Sequence, residues 1–202
     1  MADYLEKYNY SKSGFTLDKD DIHDRNKRFT YKNYISWGED IHCELIDGIP
    51  YLMSAPTIWH QRIAAGLWKQ LDDFLDGKQC QALIAPVDVR LFPKEDDSDK
   101  TVVQPDVLVV CDSKKLSDNL ACKGAPDFII EVISESTRGK DFGDKRMLYE
   151  KSGVREYWIV DTDRVYKYLL KSDMYREIVY KLDIDLQIDV SVLEGCTLKI
   201  PQ

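Results

Sequence analysis

Residues 104–110 read QPDVLVV, residues 125–134 APDFIIEVIS, residues 140–153 KDFGDKRMLYEKSG and residues 154–161 VREYWIVD. Together they spell strand, strand, helix and strand. Val107 to Val110 is a short apolar run behind Pro105-Asp106, and proline is tolerated at the start of a strand, so Asp106 stands at the mouth of a buried one. Phe128 to Ile133 is a second such run with a carboxylate, Glu131, inside it. Alternation places Phe128, Ile130 and Val132 on one face and Ile129, Glu131 and Ile133 on the other. A carboxylate in an apolar strand is costly unless it is paired or binds a metal. In the helix, Asp141, Lys145 and Tyr149 fall at i, i+4 and i+8 and share one stripe. Gly153 is a C-terminal stop, and Val154 to Asp161 is rich in aromatic and β-branched residues. Strand, helix and strand make a βαβ unit whose crossover lays the Lys145 helix over the sheet that holds Glu131.

Other blocks fall in order upstream: Glu44-Leu-Ile-Asp-Gly, then Ser54-Ala-Pro-Thr-x-x-His60-Gln, then Pro86-Val-Asp-Val-Arg-Leu. With PD, EVIS, D-x-x-x-K-x-x-x-Y and GVREYWIVD, they make residues 30–161 resemble the Uma-type family of restriction-endonuclease-like proteins, once a domain of unknown function. That family is similar to PD-(D/E)XK nucleases. The resemblance implies an α/β domain with a restriction-endonuclease-like mixed central sheet flanked by helices, with β-hairpin additions at both ends. It implies hydrolysis of DNA phosphodiesters with Mg²⁺ or Mn²⁺. Magnesium takes hard oxygen ligands and keeps several waters, so two carboxylates from neighbouring strands suffice. Asp106 and Glu131 are the expected metal ligands, Val132 adds its backbone carbonyl by family analogy, and Glu44 binds the same ion or a second one. Lys145 orients or deprotonates the attacking water, and His60 contacts phosphate. In the usual motif the lysine stands two residues after the acid, where this chain has Ile133; the relatives supply it from the following helix, as Lys145 does here.

Simpler readings stand beside these. Asp106 caps a turn or pairs with an arginine, Lys145 pairs with Asp141 on a solvated helix face, Glu44 is a cross-strand partner, and His60 is a satisfied helix-start histidine. Tyr149 and Trp158 read as core. The rival function is a catalytically inactive module on the same scaffold that binds nucleic acid or a protein, since a fold does not decide a function. No Walker loop, GxGxxG, HExxH or GxSxG occurs.

The 202 residues suit a polar extension, 1–28, followed by one nuclease-like domain, 29–202. The net charge of −8 argues against non-specific coating of nucleic acid, but a metal site neutralises its own acidic residues. No apolar run reaches about 18 residues and the start lacks an apolar leader core, so a cytoplasmic protein without a membrane span is expected. Five cysteines (43, 80, 111, 122 and 196) without a CxxC pair read as free thiols.

Along the rest of the chain, Thr30 caps a short helix and Asp47-Gly48 joins two strands. Pro56-Thr57 opens a helix to about Leu75, residues 82–92 read as one strand, and Lys94 to Lys100 form a polar hairpin connection. Residues 113–124 link the two core strands. The runs 164–171 and 174–182 form a second hairpin about Ser172-Asp173, and DLQIDVSVLEG adds a last strand. Cleaving a duplex with one site per chain calls for a twofold homodimer, with 164–181 as the candidate interface.

Overall fold

The computed structural model describes residues 24, 26–37, 41–134 and 137–201. The chain divides into two compact units, residues 1–54 with 92–103 and residues 55–91 with 104–202. Of the extension 1–28, only Asp24 and Asn26 to Arg28 fall within the described residues.

In chain order, the first unit supplies helix α1 (Tyr31–Tyr34) and strands β1 (Cys43–Ile46) and β2 (Ile49–Leu52). The second supplies α2 (Ile58–Leu75), β3 (Gln81–Ile84) and β4 (Asp88–Arg90). Strand β5 (Val102–Val103) belongs to the first unit, and everything after it to the second. These later elements are β6 (Val107–Val110), β7 (Ala121–Lys123), β8 (Phe128–Val132), α3 (Arg138–Lys140), a π-helical turn (Asp141–Lys145) and α4 (Arg146–Ser152). Then come β9 (Glu156–Val160), β10 (Arg164–Lys171), β11 (Met174–Lys181), β12 (Gln187–Asp189) and β13 (Thr197–Lys199).

In the first unit, β1 and β2 form a hairpin with Ile46 opposite Ile49. Its two turn residues, Asp47 and Gly48, both have positive φ (49° and 78°), the geometry that matches strand twist. A Cβ at Gly48 would stand 3.0 Å from the Phe29 carbonyl oxygen, so both φ and space call for glycine. Behind the hairpin, Phe29, Tyr31, Trp37, Cys43, Leu45 and Val102 make a small core.

The second unit is built on a six-stranded mixed sheet in the order β11-β10-β9-β8-β6-β3. Only β8 and β9 run parallel, because a helical crossover joins them; the other neighbours are antiparallel. Helix α2 buries Ile63, Leu67, Leu71 and Leu75 against Val107, Val109, Phe128, Ile130 and Trp158 on one face. Each such side chain contributes about 1.5–3 kcal/mol when taken out of water. Helices α3 and α4 cover the other face, where the Tyr149 and Tyr157 rings meet edge-on at 4.9 Å. No helix among the described residues is long and apolar enough to cross a membrane.

Several local expectations change. Residues 82–92 do not form one strand: Ala85-Pro86, a cis peptide, separates β3, which pairs with β6, from β4, which pairs in parallel with β7. A proline has no N–H to give a ladder, so the strand breaks there. The link 113–124 carries its own strand, β7, and the last strand is a pair, β12 with β13. The cysteines are not all free. Cys80 and Cys111 form a disulfide, while Cys43, Cys122 and Cys196 are buried thiols outside any disulfide. The bond follows from pairing: Gln81 faces Val110, so the next position outward sets 80 opposite 111.

Candidate active site

Strands β6 and β8 pair with Val107 opposite Ile130. One step outward, the same register sets Asp106 opposite Glu131, at the end of the strand pair. Asp106 stands one residue before β6, and the Asp106 backbone carbonyl accepts from the Ala85 N–H at 3.0 Å. The Asp106 carboxylate turns over the sheet end. Its Oδ2 accepts from the Val132 N–H at 2.7 Å and lies 3.0 Å from His60 Nε2.

His60 reaches this point because of how α2 begins. The Thr57 hydroxyl caps the helix by accepting from the His60 N–H at 3.2 Å, which fixes the first turn. Burial alone pulls the imidazole pKa down. The hydrogen bond to Asp106 and its charge, with smaller help from Asp141 and the Val132 backbone, raise it above the ordinary value of 6.5. His60 Nδ1 is buried and has no hydrogen-bond partner among the described residues.

Glu131 is served from the other face. Its Oε1 accepts from Lys145 Nζ at 2.8 Å and from the Tyr149 hydroxyl at 2.7 Å. The lysine side chain is 5% exposed and the glutamate 4%, so this pair lies out of water. Asp141 is also buried, with Oδ1 3.8 Å from Lys145 Nζ. Its backbone carbonyl accepts from the Tyr157 hydroxyl at 3.2 Å. Burial pushes that phenol far above its usual pKa, helped by the negative charges of Glu131 and Asp141, so Tyr157 stays a neutral donor.

The structure thus gathers four side chains expected from the sequence, His60, Asp106, Glu131 and Lys145, with the Val132 backbone, at one end of the second unit's sheet. Glu44 belongs to the first unit, buried in β1 opposite Tyr51. The solvated-face reading of Lys145 is overturned, since its ammonium is buried against Glu131. Tyr149, read as core, packs as core but also spends its hydroxyl on Glu131; the signal was the stripe it shares with Asp141 and Lys145. That stripe is not plain α-helix, because Asp141–Lys145 forms a π turn, a form that recurs at functional sites.

The donor chemistry suits a hard divalent cation: Asp106 and Glu131 carboxylates and a backbone carbonyl are all oxygen donors. Both carboxylates also hold protein donors, and among the described residues no group of three or more His, Cys, Asp or Glu side chains is set to hold a metal ion.

Comparison with known proteins bears on both fold and family. No curated protein matches the chain. Among solved structures, one titled as a "putative nuclease belonging to DUF820", from Anabaena variabilis ATCC 29413, superposes with a TM-score of 0.68 at 18% identity. The match covers 85% of this chain and 94% of that one, and it shows that the two share a fold. The model of the Uma2 family, described as "Putative restriction endonuclease", matches residues 31–201, and the chain belongs to that family.

Proposed function

We propose that this cluster is the active site of a divalent-metal-dependent endonuclease that hydrolyses DNA phosphodiester bonds. The observation that carries the reading is Glu131, a carboxylate buried inside an apolar strand, held by a buried lysine and placed opposite Asp106 on the neighbouring strand. Family membership and the nuclease-titled solved structure support it.

Asp106, Glu131 and the Val132 carbonyl would hold Mg²⁺ or Mn²⁺, which when bound polarises a phosphodiester and acidifies a coordinated water. The chain's own residues do the rest. Lys145, whose ammonium lies beside Glu131, would orient the attacking water and offset charge at phosphorus. Tyr149 keeps a hydrogen bond on Glu131 and limits its rotation. His60, its pKa raised above the ordinary value by the hydrogen bond and charge of Asp106 against the opposing effect of burial, suits a phosphate oxygen. Glu44, which belongs to the first unit, is given no step here. A duplex substrate would require two copies of the site.

One observation favours a second reading, an inactive binding module: both carboxylates are already paired with protein donors. The deciding assay is nicking of supercoiled plasmid with Mg²⁺, with Mn²⁺ and with EDTA. Metal-dependent nicking that EDTA abolishes is the expected outcome. Absence of cleavage under every metal, together with retained DNA or protein binding, would establish the binding module instead.

A further inference from the structure

We propose that β11 is the contact through which two copies of this chain join, edge to edge, about a twofold axis normal to the sheet, with Val179 opposite its own symmetry mate. The proposal is independent of the nuclease reading. It rests on three features of the strand.

The first is exposure. β11 is the last strand of its sheet, and among the described residues no strand pairs with its outer edge. Met174, Ile178 and Val179 are 68%, 41% and 45% exposed. A long edge strand with apolar side chains is a template for another strand.

The second is hydrogen-bond phase. The Leu182 N–H donates to the Asp163 carbonyl, so even-numbered residues of this strand direct their backbone groups at β10. Odd-numbered residues direct theirs outward. Tyr175 is one of these, and its N–H is already taken by the Glu150 carboxylate of α4. Antiparallel registers centred on residue 176, 177 or 178 would each need Tyr175 as a hydrogen-bonding partner. The register centred on Val179 does not: it uses 177 with 181, and 179 with 179.

The third is charge. Centring on Arg176 or Glu177 sets like charges face to face. Centring on Val179 sets Glu177 against the second copy's Lys181, and by symmetry Lys181 against its Glu177. It also sets Ile178 beside the second copy's Tyr180. Opposite charges and apolar pairs across strands stabilise, and like charges directly opposite destabilise.

Sedimentation velocity or light scattering on the full chain tests this without reference to activity. A dimer is expected for the parent protein. Lys181→Glu leaves the Tyr168–Glu177 hydrogen bond intact and sets Glu against Glu twice, so the dimer should weaken by about tenfold or more. The double change Glu177→Lys with Lys181→Glu restores the pairs in reverse and should restore the dimer. Val179→Pro removes an outward N–H that β10 does not use, and should yield a folded monomer. A parent protein that stays monomeric up to about 100 µM would overturn the proposal. So would a dimer that neither Lys181→Glu nor Val179→Pro weakens.

Discussion

Lys145 with Glu131 and Lys167 with Glu156 are the same chemical pair buried on opposite faces of one sheet. Lys167 lies opposite Trp158, on the α2 face, whereas Glu131 lies beside Ile159, on the α3–α4 face. Their surroundings differ. Lys167 Nζ donates to the Asp189 carbonyl at 2.6 Å and to Asp189 Oδ2 at 2.9 Å, and sits 3.3 Å from Glu156 Oε1. Glu156 also accepts from the Trp158 indole at 2.7 Å and from the Val192 N–H at 3.0 Å. Both carboxylate oxygens of Glu156 are served, and its partners tie residues 189–192 onto the sheet. In the Lys145 pair, two donors crowd one oxygen of Glu131 while Asp141 adds a second negative group beside the lysine. The first arrangement is a fastening. The second concentrates carboxylates around one lysine, at the site proposed to receive a cation and a phosphate.

The largest expected effect is on the fastening. Lys167→Met leaves Glu156 and Asp189 without their cation, and breaking a buried pair from one side costs about 3–5 kcal/mol. Urea unfolding should show that loss, while nicking per folded molecule stays near the parent value. A drop in nicking per folded molecule as large as that of a site variant would erase the distinction between the pairs.

Next comes Lys145→Met. It also loses stability, so rates must be normalised to the folded fraction measured by circular dichroism. Nicking is expected to fall by about 10²-fold or more, the range for a lost general acid–base group. Parity between Lys145→Met and Lys167→Met would remove Lys145 from the chemistry. Tyr149→Phe is a finer probe of the same pair. It keeps the ring against Tyr157 and removes one hydrogen bond from Glu131, with about a tenfold loss of nicking expected. If the Michaelis constant alone rises while turnover is unchanged, Tyr149 positions nothing at the reacting centre.

Much of this fold was legible because its information is local. Asp47-Gly48 and Ser172-Asp173 both read as two-residue turns, and both have positive φ at the two positions. Glu131 stood out because a carboxylate inside an apolar strand has few physical explanations. What was hidden depends on distant partners. Nothing within residues 81–92 says that its first half pairs with β6 and its second with β7, and the Cys80–Cys111 bond is invisible until that pairing is known. Tyr149 was hidden differently, since its ring packs as any core aromatic does and the stripe it shares with Asp141 and Lys145 was its one signal, its hydroxyl's target being a matter of tertiary contact. The π turn at Asp141–Lys145 leaves no mark in residue spacing, because Lys145 and Tyr149 keep their i, i+4 relation whatever happens one turn earlier.

The smallest expected effect separates the two networks by pH. Burial raises the Glu156 pKa above its ordinary 4.5, and the charge of Lys167 with the Trp158 and Val192 hydrogen bonds only partly offsets this. The folded protein therefore holds that proton to higher pH than the unfolded chain does. Stability falls as pH rises from 4.5 through the folded pKa, because the native state binds more protons across that window. Asp189 has the opposite sign. Its hydrogen bond to Lys167 leads a set of contacts that hold its pKa below 3.8, so its contribution is present above that value and is lost on acidification through the lower one. Glu156→Gln removes the first response and leaves the second. Urea midpoints of the parent and of Glu156→Gln, measured from about pH 4 to pH 7, should show the parent losing ground to the variant as pH rises. A parent that gains on the variant over that range would mean that Lys167 outweighs burial at Glu156. The fastening would then be an ion pair that stabilises by its charge, and not a buried cost offset by the segment it holds.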